Sequence, residues 1–253
     1  MDYSPRHGRI LSLLAEKGTI GVNALAALLD VSVETVRRDV KALAGRGEIV
    51  RMHGSIGLPS VVSEAPFERR MRENREAKEA IAALAAASIR DGESVMLDTG
   101  TTTSFLARAL LDHRRLTVVT NSSDIARTLA TVNGNKVYMA GGELRSDSGA
   151  ALGFSAIEFV SRFSVDHAII SAGAINVASG VMDYDLEEAQ FGQTVLARGR
   201  RRVVVTDSSK FGQKGLVRVC ALADFDELIA NRMPPADLTQ ALQAADVSLR
   251  ICS

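Results

Sequence analysis

Five short stretches of this 253-residue chain gather the residue types that hold an anion. They are Asp98-Thr99-Gly100-Thr101-Thr102-Thr103, Thr120-Asn121-Ser122-Ser123, Gly141-Gly142-Glu143-Leu144-Arg145, Ala172-Gly173-Ala174 and Thr206-Asp207-Ser208-Ser209-Lys210. Glycines let a backbone approach a ligand closely. Hydroxyls and amides at a helix start favour negative charge, and Lys210 or Arg145 supplies a positive one. The chemistry that suits such a set is the holding of a small phosphorylated polyol or sugar. Gly100-Thr101-Thr102-Thr103, at the start of a predicted helix, is the strongest element. Asp98 either accepts a hydrogen bond from a ligand hydroxyl or caps the turn. Glu188, in the acidic run that begins at Asp183, either touches a polyol or opens a surface helix. His113 and His167 each stand alone and suit structural roles.

A second set lies near the start of the chain. Ser32 is a good N-cap for a helix running to about residue 44. At about 100° per residue, Val33, Val36, Val40 and Leu43 fall in one apolar arc, with Glu34, Arg37, Arg38 and Lys41 opposite and Thr35 at the margin. A helix with a core face and a mostly basic polar face suits the reading of base edges in a major groove. Any surface helix also shows a charged face, so its neighbours carry the weight. Helices over 5–17 and 23–30 precede it, and the alternating, glycine-closed run 49–57 after it reads as a hairpin carrying Arg51 and His53.

Other chemistries lack their residues. There is no Gly-x-x-x-x-Gly-Lys-[Ser/Thr] and no Gly-x-Gly-x-x-Gly, the usual nucleotide and dinucleotide signals. Gly153-Phe154-Ser155-Ala156-Ile157 lacks the second glycine of a nucleophile elbow. The four histidines are scattered and Cys220 and Cys252 are far apart, so no metal site and no cofactor is expected, and the cysteines read as reduced thiols of a cytoplasmic protein. The rival reading is a sugar-phosphate isomerase with an appended head, using Glu188 as base and Asp98 with Lys210 as polar partners.

These residues need elements to place them. At about 150 residues per domain, the length suits a small domain joined to a larger one. With 46% hydrophobic and 24% charged residues the chain is globular, and no apolar run is long enough to cross a bilayer. The charge sums to zero but divides unevenly. Residues 1–58 carry 8 Lys/Arg against 6 Asp/Glu, a net +2 that cannot hold DNA by bulk electrostatics, so base contacts and more than one copy are required. Residues 59–75 read as a linker and the start of a connecting helix, which is predicted over 66–90. From residue 94, apolar runs at 94–97, 116–119, 137–140, 168–171, 203–205, 227–230 and 247–251 alternate with helical patterns. Such runs suit strands of a mainly parallel sheet buried on both faces. Ligands of such sheets bind beyond the carboxyl ends of the strands, where all five stretches fall. The fold class is therefore α/β, with residues 1–58 forming a DNA-binding head and 76–253 an effector domain.

The chain resembles the DeoR family of bacterial transcriptional repressors over nearly its full length. The head is similar to that family's winged helix-turn-helix in Val31-Ser32-Val33-Glu34-Thr35-Val36-Arg37-Arg38-Asp39-Val40 and Arg51-Met52-His53-Gly54. The remainder resembles its sensor domain in Asp98-Thr99-Gly100-Thr101-Thr102, Thr120-Asn121, Ala140-Gly141-Gly142-Glu143-Leu144-Arg145 and Asp207-Ser208-Ser209-Lys210-Phe211-Gly212. Glu143-Leu144-Arg145-Ser146, the 159–163 segment and Tyr184-Asp185 look most like the glycerol-3-phosphate repressors. Ser55 and Ser208 depart from the family, which usually has glycine at the first position and often histidine at the second. Glu187 and Gln190 depart from that subgroup. The resemblance implies a sensor similar to ribose-5-phosphate isomerase, and a repressor, not an enzyme, of a carbohydrate or polyol operon. It implies a homo-oligomer, dimer or tetramer, on operator double-stranded DNA, with a phosphorylated sugar or polyol as inducer, glycerol 3-phosphate first among them. Thr35, Arg37, Arg38, Arg51 and His53 would face the operator, with Ser32, Glu34 and Lys41 beside them. Gly100 to Thr103 and Lys210 would hold the inducer, with Asp98, Thr120, Asn121, Gly141, Gly142, Arg145, Gly173 and Glu188 around it. Activation instead of repression fits the same residues.

Overall fold

The computed structural model describes residues 5–17, 19–52, 55–58 and 64–252. The chain forms two compact units, Met1–Pro66 and Phe67–Ser253. Most of the expected linker, and His53 of the hairpin, lie outside the described residues.

The first unit holds α1 (Pro5–Lys17), β1 (Thr19–Gly21), α2 (Val22–Leu29), α3 (Val33–Gly45), β2 (Val50–Met52) and β3 (Ser55–Gly57). Ile10 and Leu14 of α1, Leu25 of α2, and Val36, Val40 and Leu43 of α3 close on Ile20, Ile49 and Ile56. Strand β1 was not expected. It pairs antiparallel with β3 on the side away from β2, so the hairpin becomes a three-stranded wing. A run as short as Thr-Ile-Gly carries no alternation to read.

The second unit opens with α4 (Phe67–Arg72) and α5 (Arg75–Ala86), where one helix over 66–90 was expected. Asn74 sits between them in the left-handed region, at φ 51° and ψ 35°. Its side-chain amide donates to Asp207 Oδ1 at 3.0 Å. Asparagine tolerates that conformation better than most residues, and the tertiary hydrogen bond holds the break. The helical pattern continues on both sides, so nothing local marks it.

Then come β4 (Ser94–Leu97), α6 (Thr101–Ala109), β5 (Thr117–Thr120), α7 (Ser123–Leu129), β6 (Lys136–Met139), α8 (Phe154–Val160), β7 (Val165–Ser171), β8 (Ala174–Asn176), β9 (Gly180–Asp183), α9 (Leu186–Leu196), β10 (Gly199–Thr206), β11 (Val217–Cys220), β12 (Glu227–Ala230), α10 (Ala236–Ala244) and β13 (Ser248–Ile251). Seven strands form one sheet in the order β13-β12-β10-β7-β4-β5-β6, and each neighbouring pair is parallel. The continuous apolar runs follow from burial on both faces. Val95 and Leu97 of β4 face Ile81, Leu106 and Leu110 on one side, while Met96 joins Ile170, Phe191 and Val204 on the other. Strands β8, β9 and β11 form a separate antiparallel sheet that the sequence reading missed. Its strands are short and bounded by turns, and its apolar residues merge into the core that Phe191 also joins.

The order of the large sheet reverses at β4. The chain steps from β4 through β5 to β6, then returns to place β7 against the other side of β4. At the amino ends of that pair, the Ser94 backbone N–H and hydroxyl donate to Asp166 Oδ2 at 3.0 and 2.7 Å. The two Ser94 bonds hold the Asp166 carboxyl below its ordinary range, against a smaller opposing effect of burial. A depressed pKa stabilises the fold above the unfolded value of about 3.9, and that contribution is lost as pH falls through the folded value. Asp166→Ala is expected to lower unfolding stability by about 1 kcal/mol near neutral pH. The difference should shrink as pH falls through the folded value of this carboxyl, which urea titrations at neutral and acidic pH will measure.

Candidate functional site

Helix α3 presents its exposed side as expected. Glu34, Arg37, Arg38 and Lys41 are exposed and Thr35 is half-buried, opposite Val36, Val40 and Leu43. Ser32 Oγ accepts from the Thr35 backbone N–H at 3.1 Å and lies 2.8 Å from the Thr35 hydroxyl, so Ser32 caps the helix. Glu34 and Arg37 approach only to 3.7 Å, a loose surface pair worth little. Arg51 is exposed on β2 of the wing.

The second constellation sits at the carboxyl ends of β4, β7 and β10. Where strand order reverses, the loops leaving neighbouring strands part to opposite faces and leave a crevice. Asp98, just past β4, is 9% exposed. Its Oδ2 accepts from the Ser171 backbone N–H at 2.9 Å, whereas Oδ1 is buried with no hydrogen-bond partner among the described residues. Burial pushes this carboxyl up to about 7; the Ser171 backbone N–H opposes the rise and the charge of Asp183 adds to it. Gly100 follows, pressed against β7. A Cβ there would lie 1.8 Å from Ser171 Oγ, so only glycine lets the α6 start lie this close. The Thr103 hydroxyl donates to the carbonyls of Asp98 and Gly100, each at 3.0 Å, and is used up in holding the turn. Thr101 and Thr102 fill the first turn, nearly buried.

Lys210 is half-buried in the turn after β10. Beside it the structure places a residue the sequence reading missed. Lys78 of α5 is 4% exposed, donates to the Arg70 carbonyl, and has Asp207 and Lys210 nearby. Burial chiefly drives its ammonium below its usual range; Lys210 and Arg70 push the same way and Asp207 resists. Lys78 and Lys210 outnumber Asp207 here, and a net positive charge in a poorly solvated place favours an anionic guest. A signal was present: Lys78 stands at helical spacing with Ile81, Ala82 and Ala85 on the buried face of an alanine-rich helix.

Other expected contacts have different employment. Asn121 is fully buried, and its amide donates to the Ala151 carbonyl while accepting from the Thr99 hydroxyl at 2.9 Å. It braces the loops. Thr120 Oγ1 accepts from the Ser122 backbone N–H in the same buried turn. Gly173 lies under β9, where a Cβ would come 3.1 Å from the Met182 carbonyl and 3.3 Å from Asp183 Cα, so its smallness admits the antiparallel sheet. Gly141 and Gly142 are exposed beyond the edge strand β6. Arg145 is engaged by three carboxylates, Asp185 at 2.9 Å, Glu187 at 3.0 Å and Glu188 at 3.5 Å. Burial works against the ionisation of Asp185, yet the Glu188 backbone N–H and the Arg145 guanidinium outweigh it and hold its carboxyl low. A cavity of about 510 Å³ borders this cluster, lined by Arg145 together with the three acids Glu143, Asp147 and Glu187, so its charge is on balance negative.

The comparisons agree with both units. Residues 6–61 match the DeoR-like helix-turn-helix domain, and residues 73–232 match the DeoR C terminal sensor domain. The chain is 37% identical to the HTH-type transcriptional repressor CsqR of Escherichia coli, over 97% of this chain and 94% of that protein. It is 32% identical to the glycerol-3-phosphate regulon repressor of the same organism, over the full length of both. Among solved structures, ribose 5 phosphate isomerase A from Neisseria gonorrhoeae is similar at 19% identity and a TM-score of 0.40, covering 54% of this chain and 53% of that one. A winged reading head and a parallel α/β sensor define a ligand-governed transcription factor. The chain belongs to the DeoR family of helix-turn-helix transcriptional repressors. Among the described residues, no helix is long and apolar enough to cross a membrane.

The close approach at Gly100 can be tested directly. Gly100→Ala is expected to cost about 1–3 kcal/mol by overpacking. Thermal unfolding should show this as a drop of about 5 °C, restored in part by adding Ser171→Gly, which removes the two nearest atoms the new methyl meets.

Proposed function

We propose that this chain represses a carbohydrate or polyol catabolic operon and leaves operator DNA when a phosphorylated sugar or polyol enters the sensor crevice. The observation that carries the reading is the pairing of two chemistries at the carboxyl end of one sheet. Lys78 and Lys210 offer positive charge for a phosphate, and the open Oδ1 of Asp98 accepts from a hydroxyl. The first turn of α6 adds backbone N–H donors between them. Glycerol 3-phosphate is the first effector to test, because a full-length relative is named for its regulon. Thr35, Arg37, Arg38 and Arg51 face the operator. The head's small charge excess makes a homo-oligomer, dimer or tetramer, the working form in the cytoplasm.

A catalytic role suits the crevice poorly. Glu188, the base named for an isomerase, lies 3.5 Å from the Arg145 guanidinium, where its carboxylate serves an ion pair. Incubation with ribose 5-phosphate should yield no ketose; repeated turnover would reverse this reading.

Release requires the effector to prefer the state that does not bind DNA, since equal affinity for both states shifts nothing. Calorimetric titration with glycerol 3-phosphate, ribose 5-phosphate and inorganic phosphate should find saturable binding to at least one ester. Lys78→Ala, Lys210→Ala and Thr102→Ala should each weaken it by about tenfold or more, the size of a lost charge-assisted hydrogen bond. Arg38→Ala should abolish operator binding in a gel-shift titration and leave effector binding unchanged. Absence of binding to every ester, or full affinity in the lysine variants, would remove the proposed site.

A further inference from the structure

The inference rests on the reading that the exposed face of α3 meets DNA; what sets its angle lies on the opposite side. Beneath it the apolar contacts are made by Val36, Val40 and Leu43 against Ile10, Leu14 and Ile56. Such contacts are strong but carry little direction, so they hold a helix down without fixing its rotation. One charged side chain breaks the apolar stripe. Asp39 is 7% exposed, and both of its carboxylate oxygens are engaged. Arg6 Nε donates to Oδ2 and Arg6 Nη2 to Oδ1 at 3.1 Å, while His7 Nε2 lies 3.2 Å from Oδ1. These contacts, above all the side-chain bond from Arg6, hold the Asp39 carboxyl below its ordinary range against the penalty of burial.

The chain of contacts continues through His7. Its Nδ1 lies 2.9 Å from Arg46 Nη2. A guanidinium can only donate, so Nδ1 must accept, and the imidazole proton must sit on Nε2, where it donates to Asp39. Arg46 Nε in turn lies 3.3 Å from Glu48 Oε1. Five side chains thus tie the first turn of α1 to the middle of α3, to the residue that ends α3, and to the turn that leads into wing strand β2. The charges of Arg6 and Arg46 match those of Asp39 and Glu48, so this chain is not a phosphate-binding patch. Directed hydrogen bonds favour one orientation of the groups they join, which apolar contact does not.

We infer that the Arg6–Asp39–His7–Arg46–Glu48 chain sets the rotation of the reading helix relative to α1 and the wing, and so determines sequence preference without touching DNA. These are positioning residues. Arg46 is the most accessible handle, because its side chain is 45% exposed and its loss leaves the core in place. Glutamine there keeps a donor for His7 Nδ1, and leucine removes it.

The test uses the full-length chain, the duplex it selects from a random-sequence pool, and a scrambled duplex. Arg46→Leu is expected to weaken selected-duplex binding by about tenfold, the size of one lost base contact. Scrambled-duplex affinity and the salt slope should stay at the parent values, and Arg46→Gln should restore most of the preference. The double variant Arg6→Met with Asp39→Leu should remain folded and lose preference in the same way; should it fail to fold, the Arg46 pair decides alone. An unchanged preference in Arg46→Leu would overturn the inference. So would an equal loss on both duplexes with a salt slope shallower by about one, the mark of a direct phosphate contact.

Discussion

The reversal of strand order at β4 is the constraint on which the sensor depends. A parallel sheet that grew in one direction would carry its loops over the ends of its strands and leave no gap. Because β7 returns to the far side of β4, the turns beyond these two strands part, and Asp98 and Gly100 stand in the opening. The reversal also explains the close contacts around it. Gly100 meets Ser171 with no room for a methyl, and the Ser171 backbone N–H reaches Asp98. Ser94 and Asp166 pin the same two strands at their amino ends. The opening is thus held at a fixed width by polar contacts at both ends of one strand pair.

Charge is sorted along the rim of that opening. Lys78 and Lys210 gather with Asp207 at the end of β10. Asp185, Glu187 and Glu188 surround Arg145 and outnumber it. Asp98 is buried with one oxygen open and is suited to a hydroxyl. The carboxylate ring also keeps Arg145 directed at α9, joining the loop after β6 to the start of that helix. Asn121 ties the same loop back to Thr99, beside the α6 start.

The head solves a different problem with similar means. Its core is small, and its charge excess is too slight to hold DNA without shape. Positioning therefore counts for more than attraction, and a hydrogen-bonded chain under α3 meets that need at some cost in burial. Arg6 and Arg46, which composition alone counts toward DNA affinity, are spent on Asp39, His7 and Glu48. The cations left on the reading face are Arg37, Arg38 and Lys41, with Arg51 on the wing.

Local patterns carried most of the architecture. The arc of Val33, Val36, Val40 and Leu43 marked the reading helix, Ser32 its cap, and the doubly apolar runs a parallel sheet, because periodicity and capping depend on near neighbours. The turns after β4, β7 and β10 fall at one end of the sheet, since strand direction decides which ends share an edge. Tertiary structure alone decided the rest. Asn74 breaks a helical pattern because Asp207, far along the chain, accepts from it. Lys78 becomes part of the site because α5 is folded onto the end of β10, and Arg145 is taken up by acids that only the return of β9 and α9 brings near. The burial of Asp39 and the tautomer of His7 follow from α1 crossing α3. Each is a pairing between distant residues, and the energy of a charge depends on what surrounds it in space, which periodicity along a chain does not record.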